Sequence, residues 1–177
     1  EVQDSLGTVV TRTENAYLPL SAVGTLAFAE RSGSSLHSED PTNNLIRPVI
    51  ESRTTQQGVR FETLNETFDV LANPLQVRRR SVDISANTVR DSRTEAFEYE
   101  HNTTHWVINQ VRKVSLVAPQ AMQLARVEFN ALAQPVKLFG VVVPGAAGTH
   151  LQQEVTYHAN GRAHLVKDGK GNTTTLT

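Results

Sequence analysis

Apolar and polar side chains alternate with a period of two along much of this chain. Val59 and Phe61 alternate with Arg60 and Glu62, Phe97 and Tyr99 with Glu98 and Glu100, and Val155 and Tyr157 with Thr156 and His158. Successive side chains of a strand point to opposite faces, so this rhythm predicts strands with one face buried, Val59 and Phe61 inward among them. A helix competes only over residues 121–133, which are rich in Ala, Leu, Met and Gln. There too Ala125, Val127 and Phe129 alternate with Arg126, Glu128 and Asn130, and Pro135 follows, so a strand is favoured.

Two stretches break the rhythm. Residues 31–44, RSGSSLHSEDPTNN, hold almost no apolar side chain and read as an exposed loop; VPGAAGTH at 143–150 separates two strand-like runs. Arg78, Arg79 and Arg80 form a dense basic run where a strand is expected to end, and read as a solvated strand end rather than a phosphate or acidic-partner contact.

Between the breakers lies a repeat. FDVLANPLQV from Phe68, FNALAQPVKL from Phe129 and YHANGRAHLV from Tyr157 align without a gap, each opening on an aromatic residue followed by Asp69, Asn130 or His158. A pair able to turn the chain comes next, Ala72-Asn73, Ala133-Gln134 or Gly161-Arg162, and then a strand-like run. The predicted unit is strand, tight turn, strand: the aromatic supplies buried area, Asp or Asn bonds the turn backbone, and Gly supplies positive φ. Pro74 and Pro135 fix φ just past the turn, where no ladder N–H is required. The starts at 68, 129 and 157 lie 61 and 28 residues apart, so this is no strict short-period solenoid. The close of the chain, YHANGRAHLVKDGKGNTTTLT, reads as two turns joining three short strands.

Composition narrows the function classes. A chain of 177 residues is long enough for one domain with a core. A formal net charge of −1 with 20% charged residues gives no electrostatic hold on nucleic acid. The absence of cysteine removes disulfides, thiolate zinc sites and cysteine nucleophiles. No run approaches the roughly 18 apolar residues of a membrane span. The chain opens at Glu1 rather than Met, and is expected to be a piece excised from a longer protein.

Candidate chemistry is sparse. His101 and His105, four apart, would share a face on a helix, but in a strand-and-turn context that argument for a metal fails and no third ligand is evident. Neither a G-x-S-x-G elbow nor a phosphate loop occurs, so catalysis and cofactors are not expected. Asn65-Glu66-Thr67, Asn102-Thr103-Thr104 and Asn172-Thr173-Thr174 satisfy the N-glycosylation triplet and read first as strand-edge and turn residues. Trp106, the one tryptophan, is expected to be buried as a sheet anchor beside Val107 and Ile108.

The last unit, written Tyr157-x-x-x-Gly161-Arg162 and then Asp168-x-x-Gly171-Asn172-x-Thr174, resembles the tyrosine-aspartate repeat of RHS proteins, roughly Y-D-x-x-G-R-L-x-x-V-x-D-x-x-G-N-x-T. His158 replaces the usual Asp and Ala163 the usual Leu. YEHNTTHWVINQVRKV from Tyr99 is similar to the segment of such repeats where Tyr, Asn-x-Thr, Trp and Gly-Gln-Val follow one another, with Asn109 in place of Gly. Asp40-Pro41 is similar to the aspartate-proline pair near the self-cleavage site of RHS toxins, but SEDPTNNL lacks the surrounding pattern and precedes the repeats, so protease activity is not carried over.

The resemblance spans residues 59–177, as a hairpin-repeat region following a β-rich region, 1–58, that holds the 31–44 loop; together they are expected to form one continuous domain. It implies an all-β fold in which antiparallel hairpins wind into a spiralling shell. The repeat-motif residues are then structural: Phe68, Asp69, Asn73, Pro74, Trp106, Phe129, Asn130, Pro135, Tyr157, Gly161, Arg162, Asp168, Gly171 and Asn172. It also implies a non-catalytic role in a secreted or surface-delivered bacterial protein, with the rest of that polypeptide and an enclosed toxin domain as partners. End strands of such a sheet expose unpaired backbone groups, which predicts self-association through an edge. The rival reading is an adhesin-like or carbohydrate-binding β-domain using a surface patch of Tyr99, His105 and Trp106.

Overall fold

The structure, a computed structural model, describes residues 2–3, 9–23, 47–146 and 150–176. The 31–44 loop and Asp40-Pro41 lie outside the described residues. Twelve strands are described: β1 (Val2–Gln3), β2 (Val9–Tyr17), β3 (Val49–Gln56), β4 (Val59–Phe68), β5 (Pro74–Asp83), β6 (Thr88–Asn102), β7 (Val107–Ala118), β8 (Met122–Phe129), β9 (Pro135–Phe139), β10 (Leu151–Tyr157), β11 (Ala163–Asp168) and β12 (Thr173–Thr175). One helical turn, α1 (Leu20–Val23), follows β2. Within each unit strand order follows chain order, β1 to β5 pairing in succession and β7 to β12 likewise. The fold is all-β and antiparallel, as the alternation predicts, and residues 122–129 are strand rather than helix. Residue contacts divide the chain inside β6 into two compact units, Glu1–Thr94 and Glu95–Thr177.

In the first unit β3 and β4 join through Gln57 and Gly58, both at positive φ (49° and 77°), the two-residue turn whose twist matches the flanking strands. The register then sets Glu14 opposite Arg53, Arg53 opposite Glu62 and Glu62 opposite Arg80, a row of alternating charge across β2 to β5. Cross-strand pairs of opposite charge each contribute roughly 0.2–1 kcal/mol. Val77 and Val82 of β5 supply the buried apolar positions.

This row corrects two expectations. Phe61 is 51% exposed while Glu62 is only 3% exposed, the reverse of the predicted faces. Glu62 tolerates burial because Arg60 Nε donates to its Oε1 at 2.5 Å, Arg80 Nε donates to its Oε2, and Arg53 lies 4.0 Å away. Arg78, Arg79 and Arg80 stand in the middle of β5 rather than at a strand end, and Arg78 pairs with Glu66 at 2.8 Å.

The second unit repeats the charge pattern with other residues. Glu128 faces Lys137, Lys137 faces Glu154 and Glu154 faces Lys167 across β8 to β11. Val127 faces Leu138, and Val155 faces Val166, at positions alternating with the charged row and so on the opposite face. Val127, Val136, Leu138 and Val155 line a groove of about 220 Å³ there. Arg126 stacks its guanidinium 3.8 Å over the ring of buried Phe139 and pairs with Glu128 at 2.6 Å. The 143–150 breaker is confirmed over its described part: Val142 bridges Gln123, and a turn follows at Pro144-Gly145.

Candidate functional site

The repeat residues build one turn, used four times. In each, the first residue's N–H donates to the carbonyl of the fifth, and the fourth residue's N–H donates back to the carbonyl of the first. The pairs are Asp69 to Asn73 at 2.9 Å with Ala72 to Asp69 at 3.2 Å, and Asn130 to Gln134 at 3.0 Å with Ala133 to Asn130 at 2.9 Å. The last two turns keep the same bonds: His158 to Arg162 and Gly161 to His158, both 2.9 Å, then Asp168 to Asn172 at 2.9 Å and Gly171 to Asp168 at 3.0 Å. The fourth residue is left-handed in every case, with φ of 66° at Ala72, 62° at Ala133, 84° at Gly161 and 95° at Gly171. This is the three-residue hairpin loop in which a type I turn ends on a left-handed residue. Ala72 and Ala133 hold that conformation although a Cβ disfavours it.

Side chains explain why alanine is tolerated there. Asp69 Oδ1 accepts the N–H groups of Leu71 (2.8 Å) and Asn73 (2.9 Å), and Asn73 Nδ2 donates to Asp69 Oδ2 at 2.9 Å. Asn130 Oδ1 accepts from Leu132 and Gln134, both 3.0 Å, while its own amide donates to Gln134 Oε1 at 3.0 Å. Asp168 Oδ1 accepts from Lys170 and Asn172, both 2.9 Å, and Asn172 Nδ2 donates to its Oδ2 at 2.7 Å. One side-chain oxygen thus satisfies two loop N–H groups that the ladder leaves open. The side-chain bond from Asn172, then the backbone bonds, hold the Asp168 carboxyl below its ordinary range. A related turn opens on Asp83, whose carboxyl is lowered by the Ser85 hydroxyl, by Arg90 and by the Ala86 N–H.

The aromatic opening each aligned unit closes its hairpin. Phe68 faces Pro74, Phe129 faces Pro135 and Tyr157 faces Ala163, each beside a register shift. The prolines therefore sit where the ladder is already interrupted. Tyr157 also donates its hydroxyl to the Pro135 carbonyl at 2.7 Å, and burial raises its pKa.

Within the second unit the turns are laced together by amide side chains. Asn102 Nδ2 donates to Ala131 O at 2.8 Å, Gln110 Nε2 to Ala133 O at 2.9 Å and Gln134 Nε2 to Gly161 O at 3.0 Å. Asn102 and Gln110 as lacing donors were not legible in the sequence beyond being amides near turns. Asn65 similarly donates to Val49 O at 2.7 Å, so the side-chain amides of all three glycosylation triplets, Asn65, Asn102 and Asn172, are engaged.

The aromatic patch is only partly assembled. Trp106 is 79% exposed, at φ 54° in the turn after β6, which corrects its expected burial: the chain reverses at Asn102, whose Oδ1 accepts the His105 N–H at 3.0 Å, and carries the indole outward. His105 is exposed on the same turn. Tyr99 instead stacks along β6 between Phe97 and His101, with centroids 6.4 and 6.3 Å apart. His101 Nδ1 accepts the N–H of Asn109, which holds φ 65°, the conformation its expected glycine would take. Among the described residues no three His, Asp or Glu side chains converge as metal ligands, and no helix is long and apolar enough to cross a membrane. Compared with known proteins, the chain matches no family model and no curated protein.

Proposed function

We propose that this chain is a non-catalytic wall segment of an RHS-like hairpin-repeat protein, part of a β-shell that encloses a toxin domain or other cargo of a secreted or surface-delivered bacterial protein. The observation that carries the reading is the turn used four times, with the turns at 102–106, 130–134 and 158–162 laced through side-chain amides. A hairpin that grips its neighbour at the turn as well as along the strand suits a sheet built by adding units. Its partners on this reading are the remainder of the polypeptide and the cargo, with no nucleic acid. β12, last in the sheet order, pairs with β11 and offers an exposed edge for self-association. A scattering envelope of the longer natural polypeptide tests the reading: a hollow particle is expected, and a compact globule without a cavity overturns it.

A second reading, a glycan-binding module, gains from the exposure of Trp106. Binding on a glycan array that disappears in Trp106→Ala with the fold intact would favour it over the shell.

A further inference from the structure

We propose that the turn from His158 to Arg162 binds a carboxylate from outside the chain, in the place that its three sister turns fill with an oxygen of their own. In those turns the first side chain offers Oδ1 to the N–H groups of the third and fifth residues. His158 offers no such oxygen; its ring packs on His164 with centroids 4.2 Å apart. The Arg162 N–H is taken by Asn160 Oδ1 at 3.1 Å, but the N–H of Asn160, the third residue, has no acceptor among the described residues.

The fifth position makes the same point. Asn73 and Asn172 each donate a side-chain amide to the second oxygen of the turn's own carboxylate. Arg162 stands at that position, exposed and with no acidic partner among the described residues, and a guanidinium is the stronger and more directional donor to a carboxylate. His164 Nδ1 is buried without a hydrogen-bond partner, a donor or acceptor whose desolvation is uncompensated. A surface cavity of about 440 Å³ is lined by His158, Asn160, Arg162 and Leu176 and gives the ligand room. Asn160 and Arg162 both line this cavity, at the turn positions that in two sister turns engage the turn's own carboxylate. A free carboxylate and an aspartyl side chain of another polypeptide share that chemistry.

Titration of the isotope-labelled chain with acetate, and separately with a blocked aspartyl tripeptide, followed by amide and imidazole NMR shifts, tests the proposal. Saturable shifts at Asn160, His158 and His164 are expected, absent with chloride at matched ionic strength. Tighter binding of the peptide assigns the source to a polypeptide, and equal binding to a free carboxylate. His158→Asp supplies the internal carboxylate and should abolish the response while retaining the fold, and Arg162→Gln should weaken binding about fivefold or more. Shifts that fail to saturate, or that persist in His158→Asp, overturn it.

Discussion

Glu62 and Arg80 stand directly opposite each other on β4 and β5, and their ion pair places a carboxylate inside the first unit while a phenylalanine next to it faces out. A buried charge is held only when its partners stay in place. Arg53 and Arg60 are half-exposed and can recover water if Glu62 is removed, so the loss should fall below the full cost of orphaning a buried ion. Glu62→Gln is expected to cost about 2–3 kcal/mol in denaturant unfolding. A change under 0.5 kcal/mol, roughly the scale of a surface substitution, would show that the row of charges contributes little.

The same carboxylate gives the unit an acid limb. Burial disfavours ionised Glu62, but hydrogen bonds and charge from Arg80 and Arg60 outweigh it, so its folded pKa lies below the ordinary 4.5. The contribution is therefore complete above that ordinary value and falls away as pH drops from about 4.5 through the lower folded value. Melting curves from pH 7 downward should lose stability in that window, and Glu62→Gln should flatten the loss.

Ala72 is the position where a single methyl group works against the backbone. Its φ is 66°, it is only half-buried, and Ala72→Gly should stabilise the chain by about 0.5–1 kcal/mol. Asp69→Ala should do the opposite, by about 1–2 kcal/mol, because two loop N–H groups and the Asn73 amide lose their acceptor. Chemical denaturation of both variants checks the signs, which must differ.

Gln134 accepts from Asn130 and donates to Gly161 O, joining two turns. Gln134→Ala should speed amide exchange in both turns and destabilise the second unit by about 1–2 kcal/mol. Exchange accelerated in the 130–134 turn alone would mean that the lacing transmits nothing.

Trp106 should fluoresce as a solvated indole, be quenched fully by iodide, and change stability by less than about 0.5 kcal/mol when replaced by alanine. A blue-shifted, protected emission would contradict its exposure.

The hairpins were legible because a turn's chemistry is local. Asp69, Asn130 and Gly161 announce it within five residues, and period-two alternation placed Phe97, Tyr99 and Val155 on strands. The turn at Asp168 was visible as a turn, but its identity with the other three was hidden because Lys167 replaces the opening aromatic. The inversion of Phe61 and Glu62 lay beyond local reading. Alternation assigns the inner face to the more apolar set, whereas here the register of β3 and β5, set by turns on either side, brings Arg53 and Arg80 to Glu62. Trp106 differs for a related reason: the size of its ring argues for burial, while the reversal at Asn102 decides where it points.

The amides that lace the turns reach for peptide carbonyls, of Ala131, Ala133 and Gly161, and a peptide carbonyl is present whatever residue supplies it. Constraint is therefore unequal on the two sides of each bond. Asn102, Gln110 and Gln134 must keep their amides, while the side chain at position 131 is free to vary without loosening the lace, leaving room on that rim to acquire new surface chemistry without a change in the frame beneath.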